Sequence, residues 1–359
     1  MKRYLLSVAA ALAVVLAAAG GAVAKGRPTP SVPAQRPGHG TSLVPSLAPH
    51  LHAWLHVLRV FPRNPEPSHK AAPPRRKRAR RQPQPPHGRL TTLSIYEHKA
   101  KPWILSAQGC SAARRHENGV VVLDFGKPAF EKGGYGTILF SGRFAKNRRI
   151  TTAMVGYARG YVHCLPSGSN AFIQLARGTS NYHPAVPSAY AAGVRWARET
   201  NQLGLALRRH GLAEHVAAAA ADDAEPAWDR HFSRTRGFFH GFRAAVHGHT
   251  LYDYGSLDGG VGAVWSARQA WYVAGGLRHT QALPEIYNAA MAREWAELAQ
   301  IARGRYHRDV RFAGVMTQGS SHCGCGLRPL AAHRALAHAL GAQGIGRVAL
   351  PRGGTNIIG

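Results

Sequence analysis

Short apolar runs alternating with longer amphipathic stretches constrain this chain more than any other feature. The runs cover 119–125, 135–141, 172–177, 215–221, 250–255, 270–275, 283–287 and 310–316. Helical patterns occupy 150–162, 188–210, 229–246, 289–303 and 330–340. Strands separated by crossover helices pair in parallel. Eight such runs, spread over roughly the 250 residues typical of the fold, predict a (β/α)8 TIM-like barrel across 89–359. An open doubly wound sheet has the same alternation. No G-x-G-x-x-G or P-loop pattern follows a strand, which counts against its nucleotide-binding versions.

The chain before the barrel reads differently. Lys2 and Arg3 precede an apolar run over 4–16, and Ala22-Val23-Ala24 follows. This is the pattern of a secretory signal peptide spanning 1–24, with an uncleaved membrane anchor as the alternative. Residues 25–88 are rich in Pro, Arg and His, too poor in apolar side chains to offset the entropy of ordering, and read as a disordered linker. Within it, Leu47, Leu51, Trp54, Leu55 and Leu58 fall near helical spacing, enough for one short amphipathic helix.

The 359-residue chain holds 46 Lys+Arg against 17 Asp+Glu, a formal charge of +29. Outside the cell, Arg75, Arg76, Lys77, Arg78, Arg80 and Arg81 are expected to attract anionic polymers such as teichoic acids, anionic lipid headgroups or extracellular DNA. A solvated spacer with no particular partner is the plainer reading of the same run. No specific nucleic-acid partner is expected. The protein is read as a secreted or cell-wall-associated monomer.

Against this basic background, Ala217 to Ala221 run directly into Asp222, Asp223, Glu225, Pro226 and Trp228. Side chains on a strand alternate, so Asp223 and Glu225 share one face and Asp222 takes the other. Asp222 is expected to pair with an arginine, and Asp229 to cap the helix after it. Other polar residues end other runs: Asp124; Asn181 and Tyr182; Tyr252, Tyr254, Ser256 and Asp258; Glu285 and Tyr287; and Gln318. Carboxyl-terminal strand ends converge on the active face of a barrel. Asn181, Tyr182, Trp228, Tyr252, Tyr254, Asp258, Tyr287 and Gln318 are candidate substrate contacts, the aromatics by stacking on sugar rings.

With Asp124 on the first run and Asp223-Ala-Glu225 on the fourth, the layout resembles the muramidases of glycoside hydrolase family 25. It is also similar to the glycoside-hydrolase-like barrels of secreted actinobacterial proteins. That resemblance implies Glu225 as general acid, Asp223 as an assisting or orienting group, and Asp124 at the strand-one position. Met316-Thr317-Gln318 departs from the family, which has an acid there. Ala224-Glu225-Pro226 also resembles the Asn-Glu-Pro of retaining glycosidases. Their nucleophile on strand seven would correspond to Glu285, and Ala224 departs from their asparagine.

Four cysteines, Cys110, Cys164, Cys323 and Cys325, allow three disulfide connectivities, of which Cys110–Cys164 is one. Cys323-Gly-Cys325 beside His322 fits a local disulfide, a redox pair or half a metal site, and lacks the second ligand pair of a zinc centre. No metal or cofactor is expected. Neither Ser141 nor Ser256 sits in a G-x-S-x-G elbow. The expected function is carboxylate acid/base cleavage of a cell-wall or extracellular polysaccharide. A non-catalytic wall-associated glycan-binding protein is the alternative, and an extracellular nucleic-acid binder a third reading.

Overall fold

A computed structural model describes residues 91–318, 326–345 and 355–358. The expected signal peptide, the linker, its short helix, the basic cluster at 75–81 and the Cys323/Cys325 pair lie outside the described residues. From β1 (Thr91–Tyr96) the chain passes through α1 (Pro102–Arg114) to β2 (Gly119–Asp124). Three short strands follow, β3 (Lys127–Glu131), β4 (Gly134–Ile138) and β5 (Phe144–Lys146). Then come α2 (Asn147–Cys164), β6 (Ile173–Gly178), α3 (Ala189–Arg209), β7 (Val216–Asp222), α4 (Ser233–Ala245) and β8 (Leu251–Asp253). Next are α5 (Ala267–Trp271), β9 (Thr280–Ala282), α6 (Ala289–Tyr306), α7 (Pro329–Ala342) and β10 (Thr355–Ile358).

One parallel sheet of 7 strands runs in the order β10-β1-β2-β6-β7-β8-β9. Residues 312–318 close it into a ring. Phe312 bridges Ala282, Met316 bridges Glu285, and Gln318 bridges Ile357 of β10. The result is a closed parallel (β/α)8 barrel whose seventh member is the 312–318 segment.

This closure revises the strand count. β1, which the periodicity missed, is the first barrel strand, and the run at 119–125 is the second. The run at 135–141 leaves the barrel and pairs antiparallel between β3 and β5. The run at 270–275 ends α5 and continues into a π turn over Tyr272–Gly276. The strand expected there lies further on, at β9.

Alanine on β7 has a packing reason. Ala219 and Ala221 face the lumen beside Tyr252 of β8 and Tyr254 just past it, with Val120, Val122, Ala176, Leu283, Met316 and Ile357. Small side chains on one strand make room for the two tyrosines beside it. Ala220 faces the other way, packing with Trp196, Phe239 and Phe242 of the surrounding helices.

α1 and α2 approach closely through glycine. A Cβ on Gly109 would overlap the Tyr157 carbonyl, and one on Gly160 the Ser106 carbonyl. The Cys110–Cys164 disulfide, with a Cα–Cα distance of 5.0 Å, ties the same two helices together. Because Gly160 faces backbone that cannot move aside, Gly160→Ala is expected to destabilise by about 1–3 kcal/mol. A urea-unfolding midpoint equal to that of the parent would refute the close-packing account.

Candidate active site

The site forms where β1, β2, β7, β8 and β9 deliver inward-facing polar residues to the carboxyl-terminal mouth of the barrel. Asp124 is the last residue of β2 and points inward, as the lumen residues Val120 and Val122 require by alternation. It is 1% exposed. The Gly126 amide donates to its Oδ1 at 2.8 Å, and the Tyr254 hydroxyl lies against the same carboxyl. Burial lifts its pKa to about 7, with the Gly126 bond and the nearby Tyr254 hydroxyl opposing the rise. Asp223, one residue past β7, is 7% exposed and its Oδ1 has no partner. Burial, then Glu285 and Glu225, push its carboxyl well above the usual range.

Glu225 is half-buried and stands at the start of a short 3-10 turn, Pro226–Trp228. The backbone there is extended, with φ −104° and ψ 134°, so the period-two spacing from Asp223 survives past the strand. Two hydrogen bonds lock that backbone. The Glu225 amide donates to Asn181 Oδ1 at 3.0 Å, and Asn181 Nδ2 donates to the Glu225 carbonyl at 3.0 Å. Asn181 Nδ2 also donates to Thr235 Oγ1. Asn181 is therefore buried scaffold that positions Glu225, not a direct contact for substrate.

Glu285 follows β9, is 3% exposed, and accepts a 2.5 Å hydrogen bond from the Tyr287 hydroxyl. Burial raises both Glu225 and Glu285, and each carries a further rise from neighbouring carboxylates: chiefly Asp258 for Glu225, and Glu225 for Glu285. The two titrate near 7 and near 8. Such values belong to the set of interacting acids, which holds a proton at neutral pH because ionising every member is costly. Ser256 donates to Asp258 Oδ1 at 2.8 Å and also lies against Glu225, and Asp258 Oδ2 accepts from the Ala227 amide at 2.6 Å. Asp258 is thereby tied to the turn carrying Glu225.

Other candidates fall elsewhere. Tyr252 is 1% exposed and donates to Gln174 at 2.7 Å deep in the barrel. Tyr254 is fully buried and donates to the Thr179 carbonyl at 3.2 Å, forming the floor beneath the acids. Neither reaches a bound chain. Asp222 points outward, as alternation required, but finds no arginine. Its register neighbour is Asp253, and burial and that like charge raise it well above the usual range. Arg177 instead pairs with Glu199 at 3.9 Å and stacks on Trp196. Asp229 is not the N-cap of α4, a position Phe232 takes; it lies three residues earlier and accepts from the Thr235 amide of the first turn at 2.8 Å. Gln318 is half-buried and bridges β10 near the same end.

Aromatic rings flank the acids on two sides. Tyr182, largely exposed, packs edge-on against Trp228 with centroids 5.3 Å apart. Lys127 lies over Tyr182 at 5.7 Å. Across the mouth, Tyr96 lies 4.6 Å from the exposed Phe140. Burial, then Glu285, Asp223 and Asp124, raise Tyr96, which places its hydroxyl among the site acids. Sequence reasoning missed Tyr96 and also Glu97, a buried acid near 7 that lies against Gln108 of α1. The signal was present but inverted: β1 turns Thr92 inward, with its hydroxyl on the Val315 carbonyl, and buries Leu93 and Ile95 against the helices.

The revised strand count also corrects two resemblances. Asp124 ends the second barrel strand, so the strand-one acid of family 25 has no counterpart in it. Glu285 follows the sixth strand rather than the seventh, so the retaining-glycosidase pattern is displaced by one. Among the described residues, no group of three or more His, Cys, Asp and Glu is arranged to hold a metal ion.

No family model matches this chain, and no curated protein matches it in sequence. Among solved structures it is similar to the endoglucanase Cel5A of Pseudomonas stutzeri, in crystals with cellobiose. That match has 11% identity and a TM-score of 0.41, and covers 77% of this chain and 85% of that chain. A second crystal structure of Cel5A matches at 10% identity and a TM-score of 0.41, over 77% of this chain and 87% of that chain.

Proposed function

We propose that this protein is a glycoside hydrolase that cleaves an extracellular polysaccharide, with Glu225 as its general acid. The observation that carries this reading is one accessible carboxyl, Glu225, beside a buried one, Glu285, both raised into the neutral range. Glycosidic cleavage needs one carboxyl protonated and one ionised at the same pH. Glu225 is the member that opens to the cleft, so it can reach the oxygen between two sugars. It gives its proton to that oxygen as the C–O bond breaks. Glu285, held by Tyr287, and Asp223 face the positive charge that develops on the sugar ring. Water then supplies the hydroxyl to the ring carbon and returns a proton to the carboxyl pair. The Tyr182–Trp228 and Tyr96–Phe140 pairs offer ring faces on either side for neighbouring sugars.

Secretion is part of the proposal, supported by the leader pattern over 1–24 and by the Cys110–Cys164 disulfide, which suits an oxidising compartment. The basic cluster at 75–81 is proposed to hold the protein near anionic wall polymers. The test is release of new reducing ends from peptidoglycan and a panel of purified polysaccharides by the full chain, with Glu225→Gln as control. Release by the parent alone supports the reading. Pull-down of an insoluble glycan by both proteins without release would replace the enzyme by a glycan-binding protein.

Asn181 offers a second check. Asn181→Ala is expected to lower kcat about 10-fold or more, because a small misplacement of the acid is costly. KM should change little, since Asn181 holds the Glu225 backbone and not the sugar. A rise in KM at constant kcat would show instead that Asn181 binds substrate.

A further inference from the structure

The acids of this mouth outnumber those the chemistry needs. Asp124, Asp223, Glu225, Asp258 and Glu285 surround it, and two carboxyls suffice for glycosidic cleavage. The chain carries 46 Lys+Arg against 17 Asp+Glu, yet among the described residues none of these acids is in an ion pair. The ion pairs among the described residues are Arg115–Glu117, Arg177–Glu199 and Arg303–Asp309, all elsewhere. Among the described residues, the mouth acids are served by neutral donors: the Gly126 and Ala227 amides, Ser256 and Tyr287. From β1 and just past β8, Tyr96 and Tyr254 add hydroxyls. The cation placed near the rim, Lys127, lies over Tyr182.

One inward carboxylate oxygen remains without a partner, Asp223 Oδ1, on a side chain 7% exposed, whereas Asp124, 1% exposed, meets the Tyr254 hydroxyl. A buried acceptor without a donor is costly, and a buried carboxylate more so. A chain that retains such an oxygen at the mouth of the barrel leaves it for a donor that arrives with the ligand. A sugar hydroxyl supplies one neutral donor. An ammonium supplies three donors and a charge, which answers the surplus of acids as well as the open oxygen.

We infer that the cleft takes an amine-bearing glycan, a polymer of de-N-acetylated amino sugars, whose ammonium group seats against Asp223. This rests on the glycosidase reading above and names its substrate class. Bulk electrostatics work against it, because a chain of formal charge +29 repels a polycation. A preference for the amine therefore has to originate in the cleft. Raised carboxyls also predict proton release on binding, as the ammonium favours their ionised forms.

The experiment is titration calorimetry on full-length Glu225→Gln, so that binding is read without turnover. The probes are glucosamine oligomers, their N-acetylated counterparts and cello-oligomers of equal length, in two buffers of different ionisation enthalpy at pH 7. The expected result is binding of the amine oligomer at least 10-fold tighter, with protons released. Adding Asp223→Asn should collapse that ratio toward one. This near-isosteric change removes a buried carboxyl, and a circular dichroism spectrum matching the parent checks that the fold survives. Equal affinity for the three probes, or a preference for a neutral one, would overturn the amine inference and leave the glycosidase reading standing. Failure of every probe to bind, together with no cleavage of any polysaccharide by the parent, would overturn both.

Discussion

Glu225→Gln removes at least about 100-fold, and up to about 10,000-fold, of the glycosidase rate, the range for loss of a general acid. Glutamine keeps the shape of the side chain and its hydrogen bonds but carries no transferable proton. The backbone clamp from Asn181 is unaffected by the change, so the variant keeps the folded site. The pH dependence follows from the same residue. Glu225 titrates near 7, so the parent loses its acid as pH rises through 7 and kcat/KM falls on that limb. That alkaline limb is measured with any soluble oligosaccharide the parent cleaves. An alkaline limb that survives unchanged in Glu225→Gln would assign it to another group.

Stability should run opposite to the pattern of most acidic side chains. A carboxyl that is ion-paired in the folded state loses its contribution as pH falls. Here burial raises carboxyls instead, so the folded state binds more protons than the unfolded one. Unfolding free energy then decreases as pH rises. Glu97 is the cleanest case, because it stands outside the catalytic set and lies near 7 against an ordinary 4.5. Its stabilising contribution is complete below about 4.5 and lost as pH rises through about 7, a change of about 3 kcal/mol. Glu97→Gln, which is neutral at every pH, should therefore raise Tm at pH 8 relative to the parent by roughly 5–10 °C. At pH 4.5 the two proteins should melt close together. Scanning calorimetry at the two pH values is the measurement, and a Tm difference that is the same at both would reject a buried, proton-binding Glu97.

Legibility in the sequence followed the physics of each element. Long amphipathic stretches were readable, and α2, α3, α4, α6 and α7 fall where the spacing places them. The alanine run was readable as a strand because it is flanked by turn chemistry and ends in acids. Alternation then separated Asp223 from Asp222 correctly. β1 was not readable, since its polar side chains face the lumen and its apolar ones face the helices, which disguises the strand. The run at 270–275 misled for the opposite reason: its apolar side chains are buried by a helix end and a π turn, and a short apolar run carries no period of its own. β10 is 4 residues long and gains its identity by pairing with β1 and with the 312–318 segment.

Local chemistry in the sequence determined which acids exist, which face each takes on its own strand, and that a parallel barrel could join them. Only the tertiary structure decided the rest. Ring closure through the 312–318 segment shifted the strand numbering and with it the match to known acid layouts. Packing turned Tyr252 and Tyr254 from contacts into floor, and Asn181 from a contact into a clamp. Burial without a counter-ion set the protonation of the acids. Each of these depends on what neighbours a side chain from distant parts of the chain, and desolvation and like-charge repulsion act through space rather than along the sequence.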